Sequence, residues 1–361
     1  MATKVEGIPS EMTAVQVVEF HKPHQINTVP TPKELGDYDV LLKTAVASLC
    51  HTDSMVVEGM FPKGGLPRTA SHEGTGTVVQ VGAKVKNFKK GDRVMSGIPR
   101  NQCQTCFNCK GPDDWHQYCE NCEGMIGVFR ADGAFADYHV ADARTSCKVP
   151  DDVSLIDAAP LACAGCTIYR ALIVTECKKG DWLAMVGAGG GLGHLGIQMA
   201  NAQGFKVIAI DARDEALELC RKAGAEHVFD ARKGQDEVVK QVKELTGQDG
   251  ADATINLSEH ETAAPLACAV TKMHANMIQV SQPAVVNIPF AELIFRDVRV
   301  KGSLVAGQEQ SRDMLSMVGK SKIKVETNVF KGLKEVPKMV ELAHSGKMKG
   351  KAVCVVDESQ V

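Results

Sequence analysis

The sequence lacks an excess of charge of either sign. Its 41 lysines and arginines stand against 44 aspartates and glutamates, a net charge of −3, which excludes the basic field that nucleic acid or an anionic membrane would need. Long apolar runs are missing as well, and the longest fall far short of the ~20 residues of a membrane-spanning helix. The opening Met1-Ala2-Thr3-Lys4-Val5-Glu6 has neither the apolar core of a secretory signal nor an Arg-rich amphipathic pattern. Internal repeats and low-complexity tracts are absent too. These absences leave the expectation of a cytoplasmic globular protein with no nucleic-acid and no membrane partner.

What is present is size, hydrophobicity and cysteine. A chain of 361 residues, 44% of them hydrophobic, exceeds the length at which one core usually stops growing, so two domains are expected. Thirteen cysteines without a secretory signal, several of them in Cys-x-x-Cys spacing, favour metal over disulfides.

Cys50-His51-Thr52-Asp53, then His72-Glu73 and much later Cys163, supply two thiolates and an imidazole. That is a ligand set for zinc with one corner left open, and an open corner distinguishes a catalytic zinc from a structural one. Thr52 offers a hydroxyl two residues from a ligand, and His51 is a titratable group able to carry a proton on to water. Asp53 is expected to orient His72 by accepting its far N–H. Glu73 is a second carboxylate within reach of the metal. Cys103, Cys106, Cys109 and then Cys119 or Cys122 form a second cluster, in a lobe at about 100–125, fit to close a structural zinc site. Cys119 is the preferred fourth ligand and Cys122 its competitor, so two zinc ions per subunit are expected.

Near residue 160 the pattern changes. Before it, short apolar stretches such as Thr75-Gly76-Thr77-Val78-Val79 are separated by glycine and proline, as in a mainly β domain. After it, strands alternate with helices: runs at 182–186, 206–210, 227–229, 253–257 and 277–280 read as a doubly wound parallel sheet. The tail, with helices near 311–318 and 333–343 and a strand at 352–356, is expected to return to the first domain. The resulting boundaries are 1–163, 164–302 and 303–361, in an α/β fold.

Between the first strand and helix of that sheet lies Gly187-Ala188-Gly189-Gly190-Gly191-Leu192-Gly193. Glycines let a backbone turn tightly and approach a pyrophosphate held at the start of the following helix. The loop is one residue longer than the standard fingerprint. Asp211, at the end of the next strand, is placed to accept hydrogen bonds from an adenosine ribose and to repel a 2′-phosphate, which favours NAD over NADP. Arg213 weakens that preference without reversing it.

Together these stretches resemble the zinc-dependent medium-chain alcohol dehydrogenases, most closely their tetrameric yeast-type branch. The motifs that carry the resemblance are Cys50-His51-Thr52-Asp53, His72-Glu73-Gly74, Gly91-Asp92-Arg93-Val94, the cysteine lobe, Ala162-Cys163-Ala164-Gly165, the long glycine loop and Gly350-Lys351-Ala352-Val353. The resemblance implies a GroES-like catalytic domain, a Rossmann domain, and interconversion of an alcohol with its aldehyde or ketone by hydride transfer to NAD. It also implies a homotetramer. By position, Cys50, His72 and Cys163 match the catalytic zinc ligands, Thr52 and His51 the proton relay, and Glu73 an acid able to approach the metal. Gly189, Gly190, Gly191, Leu192, Gly193 and Asp211 match the cofactor site, with Lys351 offering charge to the pyrophosphate where the yeast-type enzymes have arginine. Ser71 stands where the family usually has glycine, and the spacer from Cys109 to Cys119 is longer than usual. Yeast-type pockets are narrowed for ethanol by tryptophans, whose matching positions are Val57 or Phe61 and Ile98, so a substrate bulkier than ethanol is expected. The rival readings are a zinc-independent, NADPH-dependent enone or quinone reductase of the same architecture, and a nonenzymatic protein that binds through its zinc lobe.

Overall fold

A computed structural model describes residues 2–361. The chain divides into two compact units. The first takes the chain up to Ala164 together with Ala306–Gly319 and Thr327–Val361, and the second takes Gly165–Val305 and Lys320–Glu326.

The first unit is built around strand Asp39–Leu49, buried along nearly its whole length. Strand Glu73–Val81 runs antiparallel along one edge of it, with Ser48 opposite Glu73. On the other edge Tyr138–Asp142 covers its first half, and Lys351–Val355 covers its last residues, with Leu49 opposite Ala352. This register carries three distant segments to the same end of one sheet. Apolar side chains including Val15, Ala47, Leu49, Phe135, Val336 and Met339 close the core beneath it.

The second unit is a six-stranded parallel sheet. From one edge its order is His227–Asp230, Lys206–Asp211, Trp182–Val186, Ala251–Asn256, Thr271–Gln279 and Arg299–Gly302. The order reverses beside the first strand in sequence, Trp182–Val186, as in a doubly wound dinucleotide-binding sheet. The edge strand Arg299–Gly302 is not among the strands read from the sequence. Of its residues only Val300 is a large apolar one, and it is exposed, so no run marks it.

A continuous helical run, Leu155–Thr175, is long and apolar enough to suit a membrane by composition. That exceeds what the sequence suggested, yet 78% of its most apolar window is buried inside the protein.

Candidate active site and metal centres

Cys50 leaves the central strand and caps helix His51–Val57 with extended backbone, φ −118°. Cys163 comes from a single π turn, Leu161–Gly165, set in the Leu155–Thr175 run just after Pro160. Proline removes one intrahelical donor at that point, and such turns recur at functional sites. His72 precedes strand Glu73–Val81. The structure brings Cys50, His72, Glu73 and Cys163 together, with one potential ligand atom from each lying within 4.8 Å of the others.

Asp53 works differently from the sequence expectation. Its Oδ1 accepts the Ser71 N–H at 2.9 Å and its Oδ2 accepts the Cys50 N–H at 2.8 Å. His72 Nδ1 lies 3.9 Å from Oδ1, beyond hydrogen-bond reach. The carboxylate therefore fixes the backbones of both ligand-bearing segments rather than the imidazole itself. Ser71 has φ 70°, the left-handed region where glycine is favoured. Its hydroxyl offsets the strain by donating to Ser48 O at 2.8 Å.

Lys351 also departs from expectation. It is 4% exposed, and its ammonium lies 2.7 Å from Glu73 Oε2 and 3.0 Å from Oε1. Committed to a buried carboxylate, it is not free to meet a pyrophosphate. Glu73 Oε1 also accepts the Ala164 N–H at 3.2 Å, next to the candidate ligand Cys163.

The electrostatics of the cluster follow from burial and proximity. The Cys50 thiol is pulled well below its ordinary value, first by a hydrogen bond with Cys163 and then, against burial, by Lys351 and His72. Burial alone would discharge His72, but the charge of Cys50 and its hydrogen bond carry the imidazolium up to about 9. Burial likewise opposes the Lys351 charge, and Glu73 outweighs it, so the ammonium is held above its usual value. Thr52 Oγ1 lies 3.8 Å from Cys50 Sγ, and His51 is exposed at the first turn of its helix.

The donor set fits zinc. Thiolates and imidazole are its preferred ligands, and one such atom from each of Cys50, His72 and Cys163 lies within 4.8 Å of the others, with the imidazole already hydrogen-bonded to the Cys50 thiol. The second cluster also fits. Ligand atoms of Cys103, Cys106, Cys109 and Cys119 lie within 4.8 Å of one another, and Cys122 is outside that group. Backbone N–H groups of Cys106 and Thr105 point at Cys103 Sγ, at 3.3 and 3.4 Å, and that of Cys103 points at Cys119 Sγ at 3.3 Å. Hydrogen bonds from Thr105 and Cys106 draw the Cys103 thiol down to about 5.

Val57 and Phe61 pack in one apolar cluster with Val17, Val56, Val128 and Phe129. Ile98 is not part of that cluster; it is buried, with its carbonyl accepting from Ile126 N–H at 3.0 Å.

In the second unit the glycine loop joins strand Trp182–Val186 to helix Gly193–Ala202. A Cβ on Gly189 would meet Ala216 O at 2.2 Å, and one on Gly193 would meet Ala188 O at 2.1 Å, so the fold itself requires both. Gly190 faces open space, with only Gly187 O at 3.7 Å. Asp211 Oδ2 accepts the Gly189 N–H at 2.9 Å, tying the acid to the loop. A close-packed glycine turn with an open face and an adjoining carboxylate fits a dinucleotide.

Two family models match the chain: "Alcohol dehydrogenase GroES-like domain" over residues 36–151 and "Zinc-binding dehydrogenase" over residues 191–320. An alcohol dehydrogenase of Geobacillus stearothermophilus is 33% identical over 356 residues, 96% of this chain and 100% of that protein. The alcohol dehydrogenase of the archaeon Aeropyrum pernix superposes with a TM-score of 0.85 at 31% identity, covering 95% of this chain and 99% of that one. A cinnamyl alcohol dehydrogenase of Sorghum bicolor superposes with a TM-score of 0.83 at 25% identity, covering 96% and 97%.

Proposed function

The chain belongs to the zinc-dependent medium-chain alcohol dehydrogenase family, and on that premise we propose that it interconverts an alcohol bulkier than ethanol with its aldehyde or ketone, using NAD(H). The observation that carries this reading is the convergence of Cys50, His72 and Cys163 beside Glu73 at one end of the central sheet. Zinc held by those three residues would supply Lewis acidity toward an alcohol oxygen, and a nicotinamide cofactor held by the glycine loop would supply the hydride acceptor.

The protein's own groups do the rest. The Thr52 hydroxyl receives the alcohol proton, and His51, exposed at the helix start, passes it to water. Asp53 holds the Cys50 and Ser71 backbones in place. Glu73, anchored by Lys351, keeps a carboxylate beside the ligands. The glycine loop from Gly189 to Gly193 receives the pyrophosphate, and Asp211 receives the ribose, which supports NAD over NADP.

The absence of tryptophan at Val57, Phe61 and Ile98 supports the bulkier substrate. Self-association into a homotetramer is supported in the second unit by the open edge strand Arg299–Gly302 and by Phe290, Ile294 and Phe295, which are 68%, 69% and 71% exposed. The near-balanced charge and the burial of the apolar Leu155–Thr175 run support a cytoplasmic enzyme. A zinc-free reductase would have no use for the converging ligands, and a nonenzymatic protein none for the glycine loop and Asp211.

Turnover of ethanol and benzyl alcohol with NAD and NADP, alongside metal analysis, tests the whole reading. Two zinc ions per subunit and higher kcat/KM for benzyl alcohol with NAD are expected. A strong ethanol preference would remove the bulky-substrate reading, and an enzyme active without zinc would remove the mechanism.

A further inference from the structure

Helix His51–Val57 starts at the ligand Cys50, and the ligand His72 comes four residues after Arg68. The segment between them, 58–67, has little regular structure and carries three glycines at positive φ, Gly59, Gly64 and Gly65. A segment of that composition has many conformations open to it. Arg68 is only 3% exposed; its four hydrogen bonds all go to backbone carbonyls, with the Asp132 carboxylate as its charged neighbour. One nitrogen donates to Val128 O and, at 3.3 Å, to Phe61 O. The other donates to Lys63 O at 3.0 Å and Gly65 O at 2.9 Å. Arg68 itself is fixed in a strand, opposite Val17. A buried cation is costly unless its donors are all engaged, and here three of the four acceptors lie in the one segment that would otherwise be loose. The fourth acceptor belongs to Val128, which packs in the same apolar cluster as Val57 and Phe61.

We propose that Arg68 is a positioning residue that sets alcohol size selectivity, by clasping segment 58–67 so that Phe61, packed in one cluster with Val57 of the preceding helix, forms a fixed wall of the substrate pocket. The inference rests on the alcohol dehydrogenase reading and on the assignment of Phe61 and Val57 to that pocket. Lysine replaces the clasp only in part, because a point-like ammonium lacks the planar fork that reaches several carbonyls at once.

The test uses the zinc-loaded full chain and its R68M, R68K and Phe61→Leu variants. The benzyl alcohol to ethanol ratio of kcat/KM should move toward unity by roughly tenfold in R68M, the scale of a lost pocket contact. The change should lie in KM for benzyl alcohol rather than in kcat, with R68K intermediate and zinc content unchanged. Hydrogen exchange at 59–66 should quicken in R68M while exchange in strand Glu73–Val81 does not. A ratio within twofold of the parent in folded, zinc-loaded R68M overturns the proposal, as does unchanged exchange in the segment. If R68M fails to fold, Phe61→Leu decides: it keeps every carbonyl that Arg68 uses, so an unmoved ratio overturns the wall. Failure of the parent chain to oxidise any alcohol with zinc bound would instead sink the functional reading, and the exchange measurement would still judge the clasp.

Discussion

Lys351 and Glu73, 278 residues apart in sequence, form an ion pair with the ammonium 2.7 Å from one carboxylate oxygen and 3.0 Å from the other, and both side chains are buried. The pair sits against Cys50, His72 and Cys163, the residues proposed to hold zinc, so its charges are part of the site's electrostatics. Removing one partner strands the other charge in a low-dielectric interior. Lys351→Met is therefore expected to cost about 3–5 kcal/mol of stability, and the double variant with Glu73→Gln to recover most of it. Urea denaturation of both variants checks this; equal losses in the single and the double would show that the charges do not compensate each other.

Asp53 gives a separate expectation. With both oxygens engaged by the Cys50 and Ser71 N–H groups, Asp53→Ala should weaken the catalytic zinc by roughly 10–100-fold and leave the cysteine lobe loaded. Metal content after a graded chelator challenge should fall from two ions to one. Loss of both ions together would mean global unfolding instead.

The Thr52 hydroxyl is assigned a proton, not a structural duty. Thr52→Val should retain zinc and cofactor binding while kcat drops by about 10²–10⁴. Turnover within a few-fold of the parent would take Thr52 out of the relay.

In the cysteine lobe the ligand assignment makes a clean contrast. Cys119→Ser should lose the structural zinc, and Cys122→Ser should keep it, because Cys119 and not Cys122 shares the cluster with Cys103, Cys106 and Cys109. Zinc stoichiometry of the two variants reads the answer directly, and the reverse pattern would reassign the site.

His139 provides the pH dependence. Its imidazole lies between Thr44 Oγ1 at 2.8 Å and Ser96 Oγ at 2.6 Å, and burial pushes its pKa from 6.5 down to about 4. Because the folded value is the lower one, the unfolded chain takes up the proton first. The stability that neutral His139 confers is thus complete above pH 6.5 and is lost as pH falls toward 4, by up to about 3 kcal/mol. Zinc-saturated parent and His139→Gln, compared between pH 7 and 5, should differ in slope, with the parent the steeper. Parallel curves would assign the acid sensitivity elsewhere.

The fold class was legible because its signals are local. Apolar runs such as Trp182–Val186 alternate with helical stretches, and a glycine turn follows the first of them. The edge strand Arg299–Gly302 escaped because a short, exposed strand carries no apolar run. Within the site, residue type and spacing singled out the thiolates and imidazole, since few side chains bind zinc. Hydrogen-bond partners were less legible. Asp53 stood near His72 in the sequence reading, yet backbone N–H groups at 2.8 and 2.9 Å take both of its oxygens. Arg68 gave no signal at all, because its partners are carbonyls that every residue possesses.

By itself, then, the sequence determined which chemistry is available: soft ligands for zinc in two groups, a glycine turn fit for a dinucleotide, and a chain long enough for two cores. Only the tertiary structure decided that Lys351 meets Glu73 rather than facing a phosphate. The cause is register. Antiparallel pairing sets Ser48 opposite Glu73 and Leu49 opposite Ala352, and this brings the two side chains to one buried end of the sheet, a juxtaposition that no local pattern in either segment encodes.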